Sequence, residues 1–157
     1  MTRTIAREIA MHLAFEQVFS NVPPEELLAQ ELTPEIFADR SVDEPLYKDF
    51  PDEEQLGYIS GLVEGVARCR EELDSRIEKY AKDWRISRID RVAAFILRVA
   101  IYEILYLPQV PDKVAINEAV EIAKKYLESD VVGFINGILG SFIREERSQE
   151  QEPAEGE

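Results

Sequence analysis

An all-α fold is predicted by three observations. Apolar residues recur at i, i+3 and i+4 along almost the whole chain. Glycine and proline are few, 7 and 8 of 157 residues. No segment alternates apolar and polar residues between hairpin turns. The apolar content of 45% is enough for a real core at this length. The pattern divides into about seven helices in a single helical domain spanning residues 1–147, followed by a tail, 148–157, whose sequence SQEQEPAEGE (with Arg147 before it) reads as disordered and acidic.

The first helix spans about Thr4 to Ser20, with Ile5, Ile9 and Leu13 four apart on one face and Phe15, Val18 and Phe19 widening it. Asn21 and the pair Pro23–Pro24 stop it. A short helix follows over Glu25 to Leu32. Thr33–Pro34–Glu35 has the form of an N-cap with proline at the first helical position, opening a further turn through Ala38. Asp39 to Pro51 is read as a long loop.

Asp52 begins the third helix, expected to reach Leu73. Gly57, Gly61 and Gly65 fall on one stripe of it. Each glycine costs about 1 kcal/mol relative to alanine inside a helix, so close approach of a neighbouring helix is the expected compensation. Ile77, Tyr80, Ala81 and Trp84 form the apolar stripe of the next helix. Ser87 and Asp90 then resemble a capping box. The helix from Asp90 to Leu107 is nearly apolar all round, with Arg91, Arg98 and Glu103 as its interior charges, and reads as the buried centre of the domain. Pro108 and Pro111 frame a loop, Asp112 caps the sixth helix to about Leu127, and Ser129 or Asp130 caps the seventh, which ends near Arg147.

Composition excludes several function classes. No apolar run is long enough to cross a membrane, and the N-terminus lacks the pattern of a secretion signal. Cys69 is the sole cysteine and His12 the sole histidine, too few for a zinc site or an internal disulfide. Neither belongs to a catalytic motif, and Gly133, Gly137 and Gly140 follow no strand, so they read as tight helix packing rather than a phosphate loop. The expectation is a non-enzymatic, cytoplasmic protein without metal or cofactor.

The net charge of −14 is unfavourable to nucleic acid taken as a whole, but it is unevenly placed. Residues 22–54 hold two basic against eleven acidic side chains, and residues 144–157 two against six. Residues 55–143 hold twelve against thirteen, leaving room for local basic patches. Arg76, Lys79, Lys82, Arg85, Arg88 and Arg91 stand at steps of three. Such a series turns back by about 60° per step on a helix, so it reads as a solvated surface, with a phosphate-binding or protein-docking patch as the alternative. Phe134 reads by pattern as a core aromatic near a helix start, and by chemistry as a group that could stack on an unpaired base.

Several motifs in order resemble the NusB family of bacterial transcription antitermination factors: AREIAMHLAF (Ala6 to Phe15), ILRVAIYEIL (Ile96 to Leu105), VAINEAVEIAKKY (Val114 to Tyr126) and GFINGIL (Gly133 to Leu139), with Trp84 ahead of the central helix. The resemblance covers about residues 3–143. It implies an all-helical protein of two packed three-helix subdomains. It also implies joint binding of single-stranded boxA RNA with the small-subunit ribosomal protein NusE. The other Nus factors and RNA polymerase are then indirect partners, and termination is suppressed, notably in ribosomal RNA operons. By position, it assigns Arg3, Arg7, Phe15, Lys124, Asp130 and Phe134 to RNA contact. Asn117, Glu118 and Asn136 match polar family residues expected to act as structural ties, with Arg98 or backbone groups as their partners.

The sequence departs from the family pattern in three places. Thr4 and Ile5 thin the N-terminal arginine cluster, Gly133 stands before Phe134 where lysine is frequent, and Ala93 lies where an acidic residue is usual. Fewer phosphate contacts imply weak intrinsic RNA affinity, with the ribosomal partner contributing more. The alternative is a NusB-like protein-interaction module that has lost RNA binding, and a homodimer is left open by the sequence.

Overall fold

The computed structural model describes residues 1–82 and 84–151. Among them are eight α-helices, two short 3-10 turns and no strand. The chain forms two compact units, Met1–Arg70 and Glu71–Glu157. No helix among the described residues is long and apolar enough to cross a membrane.

The first unit is built from α1 (Arg3–Ser20), α2 (Pro24–Glu31), α3 (Pro34–Ser41) and α4 (Glu53–Arg68). Thr2 caps α1, its hydroxyl accepting from the Ile5 N–H, and Asn21 closes it in the left-handed conformation, φ 55°. Asparagine tolerates that geometry better than most residues. Thr33 caps α3 with Pro34 at the first turn, as its sequence predicts, but the helix continues past Ala38 to Ser41. The expected loop after it contains a 3-10 turn, Pro45–Tyr47, that buries Tyr47. Asp52 opens α4 with a full capping box, its carboxylate accepting from the Gln55 N–H and the Gln55 side chain accepting from the Asp52 N–H. The core of this unit lies where α1 packs on α4, with Ile9, Leu13, Ile59 and Leu62 fully buried.

The second unit holds α5 (Arg70–Tyr80), α6 (Arg91–Tyr106), α7 (Asp112–Tyr126) and α8 (Ser129–Gln151). α6 packs on α7 and α8, and α7 on α8. Leu97, Ile101, Ile135, Leu139 and Phe142 are fully buried. α6 is buried along nearly its whole length, from Ala93 to Ile104, as its all-round apolar sequence predicts. Its cap is Asp90 alone, accepting from the N–H groups of Val92 and Ala93; Ser87 lies in the second 3-10 turn, Ile86–Arg88.

Further element expectations are corrected. The single helix expected from Asp52 to Leu73 is two. Cys69 still donates its N–H to the Gly65 carbonyl, but its ψ of 12° releases the following turn and α5 starts afresh at Arg70. The stripe expected to carry Trp84 on a helix ends at Tyr80, because Lys82 turns left-handed, φ 43°. Asp112 is the first residue of α7 rather than its cap, because its carboxylate is taken by Arg147 at 2.8 and 2.9 Å. Four of the glycines do not mark close helix contacts: a Cβ placed on Gly57, Gly61, Gly133 or Gly137 would meet nothing within 4 Å, whereas one on Gly140 would meet the Arg144 side chain at 3.3 Å. α8 runs through Gln151 rather than ending near Arg147; the rest of the expected tail, residues 152–157, lies outside the described residues.

Candidate nucleic-acid interface

The predicted contact residues fall in both units. In the first, the guanidinium of Arg3 lies 3.9 Å from the centroid of the Tyr58 ring, and that of Arg7 lies 5.9 Å from it. Arg3 is exposed and also reaches Glu54 at 3.7 Å. Arg7 is only 3% exposed, so it is not a surface phosphate contact. Its neighbours on α1, Ala6 and Ala10, have no exposure, and a helix position surrounded by such residues faces inward. Phe15 is half-buried and packs against the more exposed Phe19, ring centroids 4.8 Å apart.

In the second unit Asp130 and Phe134 come together. α8 begins with the Glu128 carbonyl accepting from the N–H groups of Val131 and Val132. That start puts the exposed Asp130 in the first turn, where the helix dipole favours a carboxylate, and Phe134 one turn further on the same face. Phe134 is half-buried, and its ring meets Trp84 edge-on at 6.4 Å and 64°. A groove of about 340 Å³ opens beside the pair, lined by Trp84, Arg88, Asp90, Asp130 and Phe134. A second groove of about 340 Å³ lies against the same two rings, lined also by Tyr80, Lys82, Gly137 and Ser141.

Lys124, in the last turn of α7, lines neither groove; it is exposed and pairs with Glu121 at 2.9 Å. An exposed pair of this kind contributes little, so the ammonium can exchange its carboxylate for a phosphate. The steps-of-three basic series divides in two. Arg76 bonds Glu146 at 2.9 Å and Lys79 bonds Glu145 at 3.0 Å, tying α5 to α8. Lys82, Arg85 and Arg88 lie beyond the end of α5 and are exposed.

The polar residues expected as buried ties are mostly placed otherwise. Asn117 and Asn136 are exposed, on the outward faces of α7 and α8, because the inward faces are filled by Ala115, Ala119, Ile135 and Leu139. Glu118 is half-buried. Arg98 is buried but serves none of these three. Asp74 of α5 takes its Nε at 2.6 Å and an Nη at 3.2 Å, while the guanidinium lies 4.6 Å from the Phe95 ring centroid.

Trp84 is the aromatic groove residue that sequence reasoning did not assign to the site, while Arg88 and Lys82 were read chiefly as solvated surface. The available signal was a tryptophan between charged residues and ahead of a helix cap. Helical periodicity absorbed it into the α5 stripe instead.

A second polar cluster lies in the first unit. Tyr47 Oη is 3.2 Å from His12 Nδ1 and accepts from Arg40 at 3.4 Å, and Arg40 also holds Glu16 at 3.0 Å and Glu31 at 2.6 Å. Burial pushes the His12 pKa down and lifts the Tyr47 hydroxyl to about 12. The cluster ties α1, α2, α3 and the 3-10 turn together and reads as structural.

The family model described as the NusB family matches residues 4–144. A transcription antitermination protein NusB of Symbiobacterium thermophilum is 41% identical over 92% of this chain and 90% of its own. One from Thermoanaerobacter sp. strain X514 is 38% identical over 97% of both. Among solved structures, NusB of T. maritima aligns with a TM-score of 0.69 at 23% identity, covering 92% of each chain. A complex of the antitermination factors NusB and NusE with double-stranded RNA aligns at 0.71 and 24%, over 91% of this chain and 96% of that one. These two structures speak for the fold.

Proposed function

The chain belongs to the NusB family, and on that premise we propose that it is an RNA-binding transcription antitermination factor. It takes up boxA-type single-stranded RNA jointly with the ribosomal protein NusE and suppresses termination, notably in ribosomal RNA operons. The other Nus factors and RNA polymerase are reached through that assembly. The protein performs no chemical step, and it works in the cytoplasm, where nascent RNA is made.

The observation that carries this reading within the molecule is the Asp130–Phe134 face at the start of α8. A half-buried aromatic beside an open groove can stack on an unpaired base, and a carboxylate on the groove wall can accept from a base amino group. Lys124 and Arg3 contribute phosphate contacts from exposed positions, and Phe15 an aromatic surface. Arg7, being buried, supports α1 instead. Of the cations assigned to RNA by the resemblance only Arg3 and Lys124 are exposed, so these positions alone bind RNA weakly and the ribosomal partner adds surface.

The test is a gel-shift series with boxA RNA, with and without NusE, across a range of salt. Binding that is stronger with NusE and declines with salt supports the proposal. NusE uptake with no RNA in the complex overturns it. Within that assay Phe134→Ala should weaken RNA binding by about 1–3 kcal/mol if the ring stacks on a base.

A further inference from the structure

Trp84 is the single tryptophan of the chain, and 53% of it is exposed. It stands outside any helix, in the connection that Lys82 opens with its left-handed turn and Asp90 closes as the cap of α6. Three cations surround it in sequence: Lys82, Arg85 and Arg88. Among the described residues none of the three has an ion pair, whereas Arg76 and Lys79, just before them, are both held by carboxylates of α8. In a chain of net charge −14 these are three exposed cations beside an open aromatic face, with Asp83 standing between Lys82 and Trp84 in sequence. Aromatic faces combined with backbone-tracking cations are what single-stranded nucleic acid requires.

The two grooves share Trp84 and Phe134 as a common wall. On α8 the first is lined by Asp130, Val131 and Phe134 and the second by Phe134, Gly137, Ile138 and Ser141, so they extend in opposite directions along the helix from Phe134. Their chemistry differs. The first carries Asp90 and Asp130, with Arg88 also on its wall. One Asp90 oxygen is occupied by the Val92 and Ala93 N–H groups, while Asp130 is exposed. Two carboxylates repel a phosphate but accept from a base amino group, so this groove suits a base edge. The second has no carboxylate in its lining. Gly137 leaves its floor open, and Lys82, the Ser141 hydroxyl and Tyr80, whose hydroxyl donates to Glu146, are its polar residues.

We infer that two bases of one RNA strand lodge on either side of the Trp84–Phe134 pair, one in each groove, with Lys82, Arg85 and Arg88 holding the phosphates around them. The groove at Asp130 selects bases that carry an amino group, and the groove at Gly137 accepts any base by stacking. The inference rests on the RNA-binding reading above and extends it to Trp84, the three cations and a second subsite.

Because Trp84 is the only tryptophan, its fluorescence reports this place alone when the RNA probe is titrated into the protein. With NusE present, its own signal is subtracted through a parallel titration with the Trp84→Phe variant. The probe is a boxA-type single-stranded RNA, with NusE at constant concentration, and binding is followed in parallel by gel shift. The expected result is quenching that saturates with the gel-shifted fraction. Trp84→Ala should lose roughly 5- to 150-fold in RNA affinity, the range for one stacked base. Gly137→Leu, whose side chain meets no protein atom at its Cβ, should fill the second groove and weaken binding without unfolding the protein. Lys82→Ala, Arg85→Ala and Arg88→Ala combined should flatten the salt dependence by roughly two units of slope. RNA binding without quenching, and unchanged in Trp84→Ala, overturns the two-groove inference and leaves the antitermination reading standing. Quenching by NusE alone assigns the grooves to protein and also overturns it. No RNA binding under any condition overturns both.

Discussion

Arg98 shows how one residue's role depends on its partner. Its side chain is 4% exposed, and Asp74 supplies both of its close carboxylate contacts. Removing the partner of a buried guanidinium strands its charge, so Asp74→Ala should lower unfolding free energy by about 3–5 kcal/mol in denaturant titration. Replacing both, Asp74→Leu with Arg98→Met, should recover most of that loss, because an apolar pair needs no compensation for desolvation. Failure of the double variant to recover would mean that Arg98 is held by more than Asp74. Phe134 is governed by the opposite condition. It is half-buried, so truncation should be read first in RNA affinity and only weakly in stability.

At the scale of the element, α4 carries a cost with no compensation in sight. Gly57 and Gly61 are exposed helix-interior glycines, and a Cβ at either would touch nothing within 4 Å. Gly57→Ala and Gly61→Ala should therefore each stabilise the protein by about 0.5–1 kcal/mol, measured as a rise in denaturation midpoint at constant m-value. No gain would indicate that the glycine face is already covered by a partner in solution. The end of α5 is the other informative element. A lysine rather than a glycine takes the left-handed position at its end, so no sequence breaker announces it. That turn takes Trp84 off the helix and gives it to the groove beside Phe134.

At the scale of the whole molecule, two groups make stability depend on pH in separate windows. Burial holds the His12 pKa below its ordinary 6.5, against the opposing pull of Glu44, Glu8 and Glu16. The unfolded chain therefore takes up a proton near pH 6.5 that the folded protein resists, and stability falls as pH drops below that value. Asp112 is held below its usual 3.8 chiefly by its bond to Arg147, so its contribution is complete above pH 3.8 and lost below it. Thermal unfolding followed from pH 7.5 to 3 should show both declines. His12→Gln should remove the first and leave the second, and Arg147→Ala should do the reverse. A profile unchanged by His12→Gln would show that its neighbours, rather than the imidazole, carry the upper decline.

The sequence by itself determined the helical class, most helix starts and the family. These are local properties: apolar spacing of 3.6, the Thr33–Pro34 and Asp52–Gln55 caps and the ordered motifs from Ile96 to Leu139 depend on near neighbours along the chain. The resemblance also assigned Asp130 and Phe134 to contact, and four residues apart on a helix they share a face. Tertiary structure decided what periodicity cannot carry. It ended α4 at Cys69 and α5 at Tyr80 without a glycine or proline, turned Asn117 and Asn136 outward and Arg7 inward, and gave Arg98 to Asp74. It also put Trp84 against Phe134, fifty positions away in sequence. A helix face has no inside until another helix covers it. Burial, charge pairing and the walls of a groove are therefore properties of the packed unit, and no segment holds them alone.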